Sequence, residues 1–160
     1  MERVLCFYIR FTRGCVPTYI EGQKNMGRKQ ASKTMGSRLK RAANRSERIE
    51  IEFIESIRKR CAPNRMILET LGELYTRTGR YEEGLNADLE LTRICPSEAI
   101  AWYNLGCSYA LIGRKKDALA ALTKAIELGY KDIEWMSIDS DFESIQDDPL
   151  FRALLKRARG

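Results

Sequence analysis

"AWYNLGCSYALIGRKKDALAAL", residues 101–122, sets a Trp, a Leu-Gly pair and a Tyr at helical spacing, and a second helical run follows one glycine. Sliding the chain by 34 residues shows that this pattern has a partner upstream. Leu71 falls on Leu105, Gly72 on Gly106, Tyr75 on Tyr109, Gly79 on Gly113 and Arg80 on Arg114. Leu85 falls on Leu119 and Ile94 on Leu128. Each copy reads as a helix, a turn at the Gly-Arg pair and a second, antiparallel helix. Gly72 and Gly106 lie mid-helix, where glycine costs about 1 kcal/mol against alanine, so a close helix–helix approach must justify them. Tyr75 and Tyr109 follow on the same face and fill the space between paired helices. Gly79 and Gly113 supply the positive φ of a helix C-terminal turn. Pro96 ends the second helix of the first copy, and Ser97 is placed to cap the next helix.

This region resembles a tetratricopeptide repeat array, whose signature is a 34-residue helix–turn–helix with W-x2-L-G-x2-Y, then A-x3-F, then P. The second copy matches at Trp102, Leu105, Gly106, Tyr109 and Ala118, with Leu122 in place of the aromatic and Tyr130 in place of the proline. The first keeps Leu71, Gly72, Tyr75 and Pro96, with Leu68 for the Trp. It departs at Gly84 and Asp88, where the family has alanine and a large apolar residue, so its second helix is expected to pack more loosely.

Two copies rarely suffice, because stacking buries the faces of such repeats. The flanks supply the rest. "SERIEIEFIESIRKRCAP", residues 46–63, puts Ile49, Phe53, Ile54, Ile57 and Cys61 on one stripe, leaves Ile51 off it, and has Ser46 as N-cap and Pro63 as stop. It resembles the second helix of a preceding, degenerate unit. "WMSIDSDFESIQDDPLFRALLKRAR", residues 135–159, resembles the closing segment of bacterial tetratricopeptide-repeat proteins. There Asp148 caps a last helix with Pro149 at its first position, and Phe151, Leu154 and Leu155 lie back on the array. The expected fold is all-α, an α-solenoid of antiparallel helix pairs with a C-terminal helical cap. Residues 1–45 form a basic, disordered extension, 46–64 the half-repeat helix, 65–98 and 99–132 the two repeats, and 133–160 the cap.

Charge separates the same regions. Residues 1–45 hold eleven Lys/Arg against two acids, whereas the remainder holds seventeen against twenty, so the net +6 belongs to the extension. Within the extension, residues 24–45 are nearly free of large apolar groups and cannot offset the entropy of ordering. Residues 4–9 form an apolar run too short for a membrane span. An Arg-rich start of this kind suits an organelle transit peptide, or an extension upstream of a working initiator at Met26 or Met35.

No histidine is present, which removes Ser-His and Cys-His nucleophile pairs and any His base near neutral pH. None of the five cysteines forms a C-x-x-C pair, there is no phosphate-binding glycine loop, and reduced thiols in the cytoplasm are the favoured reading. Asp139, Asp141, Glu143, Asp147 and Asp148 read as loop and cap residues before they read as a metal site. Trp102 and Trp135 read as core. The chain is expected to be no enzyme and to need no cofactor or metal.

The resemblance implies a concave, partner-binding face made by the first helix of each repeat. By position that face comprises Met66, Glu69, Thr70, Glu73 and Arg77, then Ile100, Tyr103, Asn104, Cys107 and Leu111. Glu69 and Glu73 repel an acidic chaperone tail, so a protein or peptide with apolar and basic groups fits better. The rival reading is nucleic-acid or anionic-surface binding by Arg28, Lys29, Lys33, Arg38, Lys40, Arg41 and Arg45, with the repeats as scaffold. No aromatics interleave with these bases, so a stacking platform for single strands is missing.

Overall fold

The computed structural model describes residues 45–159. The chain divides into two units, Met1–Glu50 and Ile51–Gly160. In the first, the described residues 45–50 are helical, and the expected basic extension otherwise lies outside the described residues. Helix α1 spans 45–58. It is followed by α2 (Arg65–Arg77), α3 (Tyr81–Ile94), α4 (Ala99–Leu111), α5 (Lys115–Glu127), α6 (Ile133–Ile138), a 3-10 turn (Ser140–Phe142) and α7 (Pro149–Arg159). There is no strand among the described residues. Helices pack in chain order, α2 on α3, α3 on α4 and α4 on α5, with the 3-10 turn on α4 and α7 against α5 and α6. This is an all-α, solenoid-type stack.

The repeated Gly-Arg pair accounts for both turns within the repeats. Gly79 and Gly113 have φ of 77° and 78°. After each, the arginine N–H donates back to the tyrosine carbonyl, Arg80 to Tyr75 at 2.8 Å and Arg114 to Tyr109 at 2.9 Å. Each guanidinium then lies 4.7 Å from the centroid of that same tyrosine ring. Glycine is required by the backbone, and arginine is held by the ring it covers.

Close approach explains the mid-helix glycines. A Cβ on Gly106 would stand 2.7 Å from Leu122 Cδ2 and 2.8 Å from its Cγ. One on Gly72 would meet Asp88 Oδ1 at 3.0 Å. The expected looseness of α3 is not found. Gly84 lies against Thr76, Tyr75 and Gly72, with ordinary contact distances of 3.5–3.7 Å for an added Cβ. Asp88 is buried and accepts the Ser108 hydroxyl at 2.5 Å, which ties the first repeat to α4 through a polar contact.

Helix α1 corrects the expected stripe. Ile51 is 1% exposed, whereas Phe53 is 63% exposed and Ile49 also faces outward. Ile51 joins Leu71, Leu74, Tyr75 and Ala87, with Ile54 and Ile67 beside them. Polar partners select this face. Glu55 accepts the Tyr75 hydroxyl at 2.6 Å, and Arg58 pairs with Glu90. Residues 51, 54, 55 and 58 thus share one side at i, i+3, i+4 and i+7 spacing. The helix ends at 58, leaving Cys61 exposed in the connection, and Ser46 lies inside the helix instead of capping it. Ser97 does not cap α4 either. A backbone turn, Glu98 N–H to Cys95 carbonyl at 3.2 Å, moves it outside the helix, which starts after Glu98. Asp148 does cap α7, accepting Leu150 N–H at 2.8 Å.

Two glycine variants test the packing. Gly106→Ala forces Leu122 to move within a full core and is expected to lower stability by up to about 2 kcal/mol, after the helix-propensity gain is subtracted. Gly84→Ala finds room and is expected to raise stability by about 0.5–1 kcal/mol. Thermal unfolding distinguishes them by opposite shifts in Tm. Burial and then the Glu55 hydrogen bond push the Tyr75 hydroxyl up to about 12. The unfolded chain loses this proton near pH 10, so stability should fall as pH rises from about 10 to 12. Tyr75→Phe should flatten that fall in denaturant titrations across the same window.

Candidate functional site

The expected inner face begins on α2. Asn64 caps the helix, accepting from Met66 N–H at 2.9 Å, and thereby sets Met66 at its first turn with 74% of its surface exposed. Arg65 holds Glu69 at 2.8 Å and reaches Glu98, the residue before α4, at 3.3 Å. The Glu69 hydrogen bond is the largest cause of the raised Arg65 pKa. Thr70 donates to the Met66 carbonyl at 2.8 Å, and Arg77 reaches Glu73 at 3.3 Å. Met66, Glu69, Thr70, Glu73 and Arg77 therefore share one solvent-facing side of α2 at i, i+3, i+4, i+7 and i+11 spacing. The Arg65–Glu98 bridge brings the start of α4 alongside, and with it Ile100, also exposed.

On α4 the structure departs from expectation. Ile100 is exposed, and Asn104 and Leu111 are half-buried, but Tyr103 is buried and Cys107 is 0% exposed. The chain's own closing segment covers them. Tyr103 stacks on Tyr130 with centroids 4.4 Å apart and planes 4° from parallel, and Phe142 meets it edge-on at 5.7 Å. Its hydroxyl donates to Asp139 Oδ2 at 2.5 Å. Burial, then the neighbouring Cys107, Asp139 and Tyr130, push that hydroxyl's pKa far up. Asp139 uses its other oxygen to accept Asp141 N–H at 3.0 Å, which closes the 3-10 turn. Ser144 donates to the Ala110 carbonyl at 3.0 Å, pinning the following loop to the end of α4.

Magnitude decides whether this cover is permanent. Met136, Phe142, Ile145 and Phe151 are all fully buried in the cluster that contains Tyr103 and Cys107. At about 1.5–3 kcal/mol for each such side chain, the segment holds itself down by roughly 6–12 kcal/mol. A micromolar peptide brings about 8 kcal/mol in total, so lifting the cover would consume most or all of its binding energy. Tyr103 and Cys107 are therefore corrected from groove residues to core residues.

One sequence signal marks this difference. Helix α4 carries no charged residue over thirteen positions, whereas α2 carries Arg65, Glu69, Glu73 and Arg77. A helix without a charged face is driven to bury most of its surface. Trp102 donates its indole N–H to the Pro96 carbonyl at 2.9 Å and packs partly into the core. Trp135, expected in the core, is exposed instead, because α6 turns Ile133 and Met136 inward.

Among the described residues, Cys107 Sγ and a carboxylate oxygen from each of Asp139 and Asp141 form the one set of three metal-ligand types within 4.8 Å. Asp139 already accepts hydrogen bonds on both oxygens there. The lysines and arginines of the basic extension expected to contact nucleic acid, Arg45 excepted, lie outside the described residues.

Residues 99–132 match the tetratricopeptide repeat family, the segment that forms α4, α5 and the turn between them. The chain is also similar to a chloroplastic protein of Arabidopsis thaliana, with 32% identity over 89 residues. That alignment covers 54% of this chain and 27% of the relative, so the chain spans about a quarter of that protein's length.

If the closing segment is a structural cover, its loss weakens the whole fold. Phe142→Ala is expected to cost about 3–5 kcal/mol. Tyr103→Phe removes one donor to Asp139 and is expected to cost about 1–3 kcal/mol. Equilibrium unfolding in urea measures both, and values near zero for the pair would mean that the segment is not packed on α4.

Proposed function

We propose that this chain, a tetratricopeptide-repeat protein by the match of residues 99–132, is a non-catalytic interaction module that binds a partner protein or peptide. The observation that carries this reading is the open side of α2. Its row Met66, Glu69, Thr70, Glu73 and Arg77 is partly or fully exposed, and Ile100, Asn104 and Leu111 extend it on α4. We read residues 65–98 and 99–132 as two repeats, residues 46–64 as a half-unit before them, and 133–160 as the cap. The helix-pair packing in chain order supports that division.

The chemistry of the row suits a segment that brings an apolar side chain to Met66 and Ile100 and a basic group to Glu69 or Glu73. Both acids are partly exposed, and each is held by an arginine four residues away on the same helix, which sets their carboxylates in fixed positions. A surface prepared in this way limits the entropy lost on binding to the partner's side. Among the described residues Cys61, Cys95 and Cys107 are reduced thiols, which suits a cytoplasmic home for the protein. Among the described residues no helix is long and apolar enough to cross a membrane.

Affinity capture with the full chain, with and without nuclease, tests the proposal. Protein partners should be retained after nuclease, and Met66→Asp and Glu73→Lys should each weaken retention about tenfold, or roughly 1.4 kcal/mol. Tyr103→Phe, assayed below its own Tm, should leave retention unchanged. Partners that vanish with nuclease and ignore the α2 variants would transfer the function to the basic extension.

A further inference from the structure

We draw no further inference here: the strongest candidate, the buried side-chain cluster of Cys107, Asp139 and Asp141 between α4 and the 3-10 turn, carries nothing because the Asp139 carboxylate already closes that turn and holds Tyr103, and no second observation points to a ligand there.

Discussion

Helix α4 has to be covered over most of its surface, and much of the structure follows from that. Its thirteen residues include no charge, and Asn104 and Ser108 are its most polar side chains. Left open to water, Tyr103, Leu105, Cys107 and Ala110 would expose an apolar surface that a soluble helix cannot sustain. Three neighbours meet the requirement. Helix α5 approaches so closely that Gly106 has no room for a Cβ against Leu122. Helix α3 offers Leu85 and Leu89 towards Leu105, and the Asp88 carboxylate towards Ser108. The closing segment brings Phe142 and Ile145 over the remaining side, with Asp139 taking the Tyr103 hydroxyl. Stacked repeats need terminal units with a polar outer surface to stay in solution. Here α7 supplies that surface, with Arg152, Lys156 and Arg157 outward and Phe151, Leu154 and Leu155 inward.

The two sequence copies therefore share a backbone plan and differ on the side expected to face inward. At equivalent positions, Glu69 corresponds to Tyr103, Glu73 to Cys107 and Arg77 to Leu111. The first set lies in contact with solvent, its charges fixed by local pairs. In the second set Tyr103 and Cys107 belong to the core. On α2 this side presents charge and an exposed methionine, whereas the middle of α4 is covered by the chain's own loop. Exposed face and structural core are divided between copies of one motif, and side-chain charge makes the division.

Much of this arrangement was readable from residue types alone, and the failures share a cause. The 34-residue register, the positive-φ glycines and the Asp148–Pro149 start of α7 rest on local backbone chemistry, which acts within a few residues of its source. The errors concern which of several faces is covered, and that is settled by partners distant in the chain. In α1, apolar residues lie both on the side through Phe53 and on the side through Ile51. Tyr75 and Glu90, twenty or more residues away, choose between them by binding Glu55 and Arg58. Tyr103 and Cys107 fall on the inner face by position, and a segment 36 residues downstream of Tyr103 turns that face into core. The uncharged run of α4 was the available warning. Trp135 shows the opposite case, a large apolar residue left outside because a six-residue helix can bury only one narrow side.

The most direct measurement is native-state thiol labelling of the full chain with a maleimide, read cysteine by cysteine by peptide mass spectrometry. Cys61 is exposed and Cys107 is fully buried, so the first should react at the rate of a free thiol. Cys107 should react only as fast as the molecule globally unfolds, slowing or quickening with Tm in destabilised variants such as Phe142→Ala. If Cys107 reacts as quickly as Cys61 in the stable native protein, then α4 is open, the closing segment does not hold it, and the division between exposed face and core is wrong.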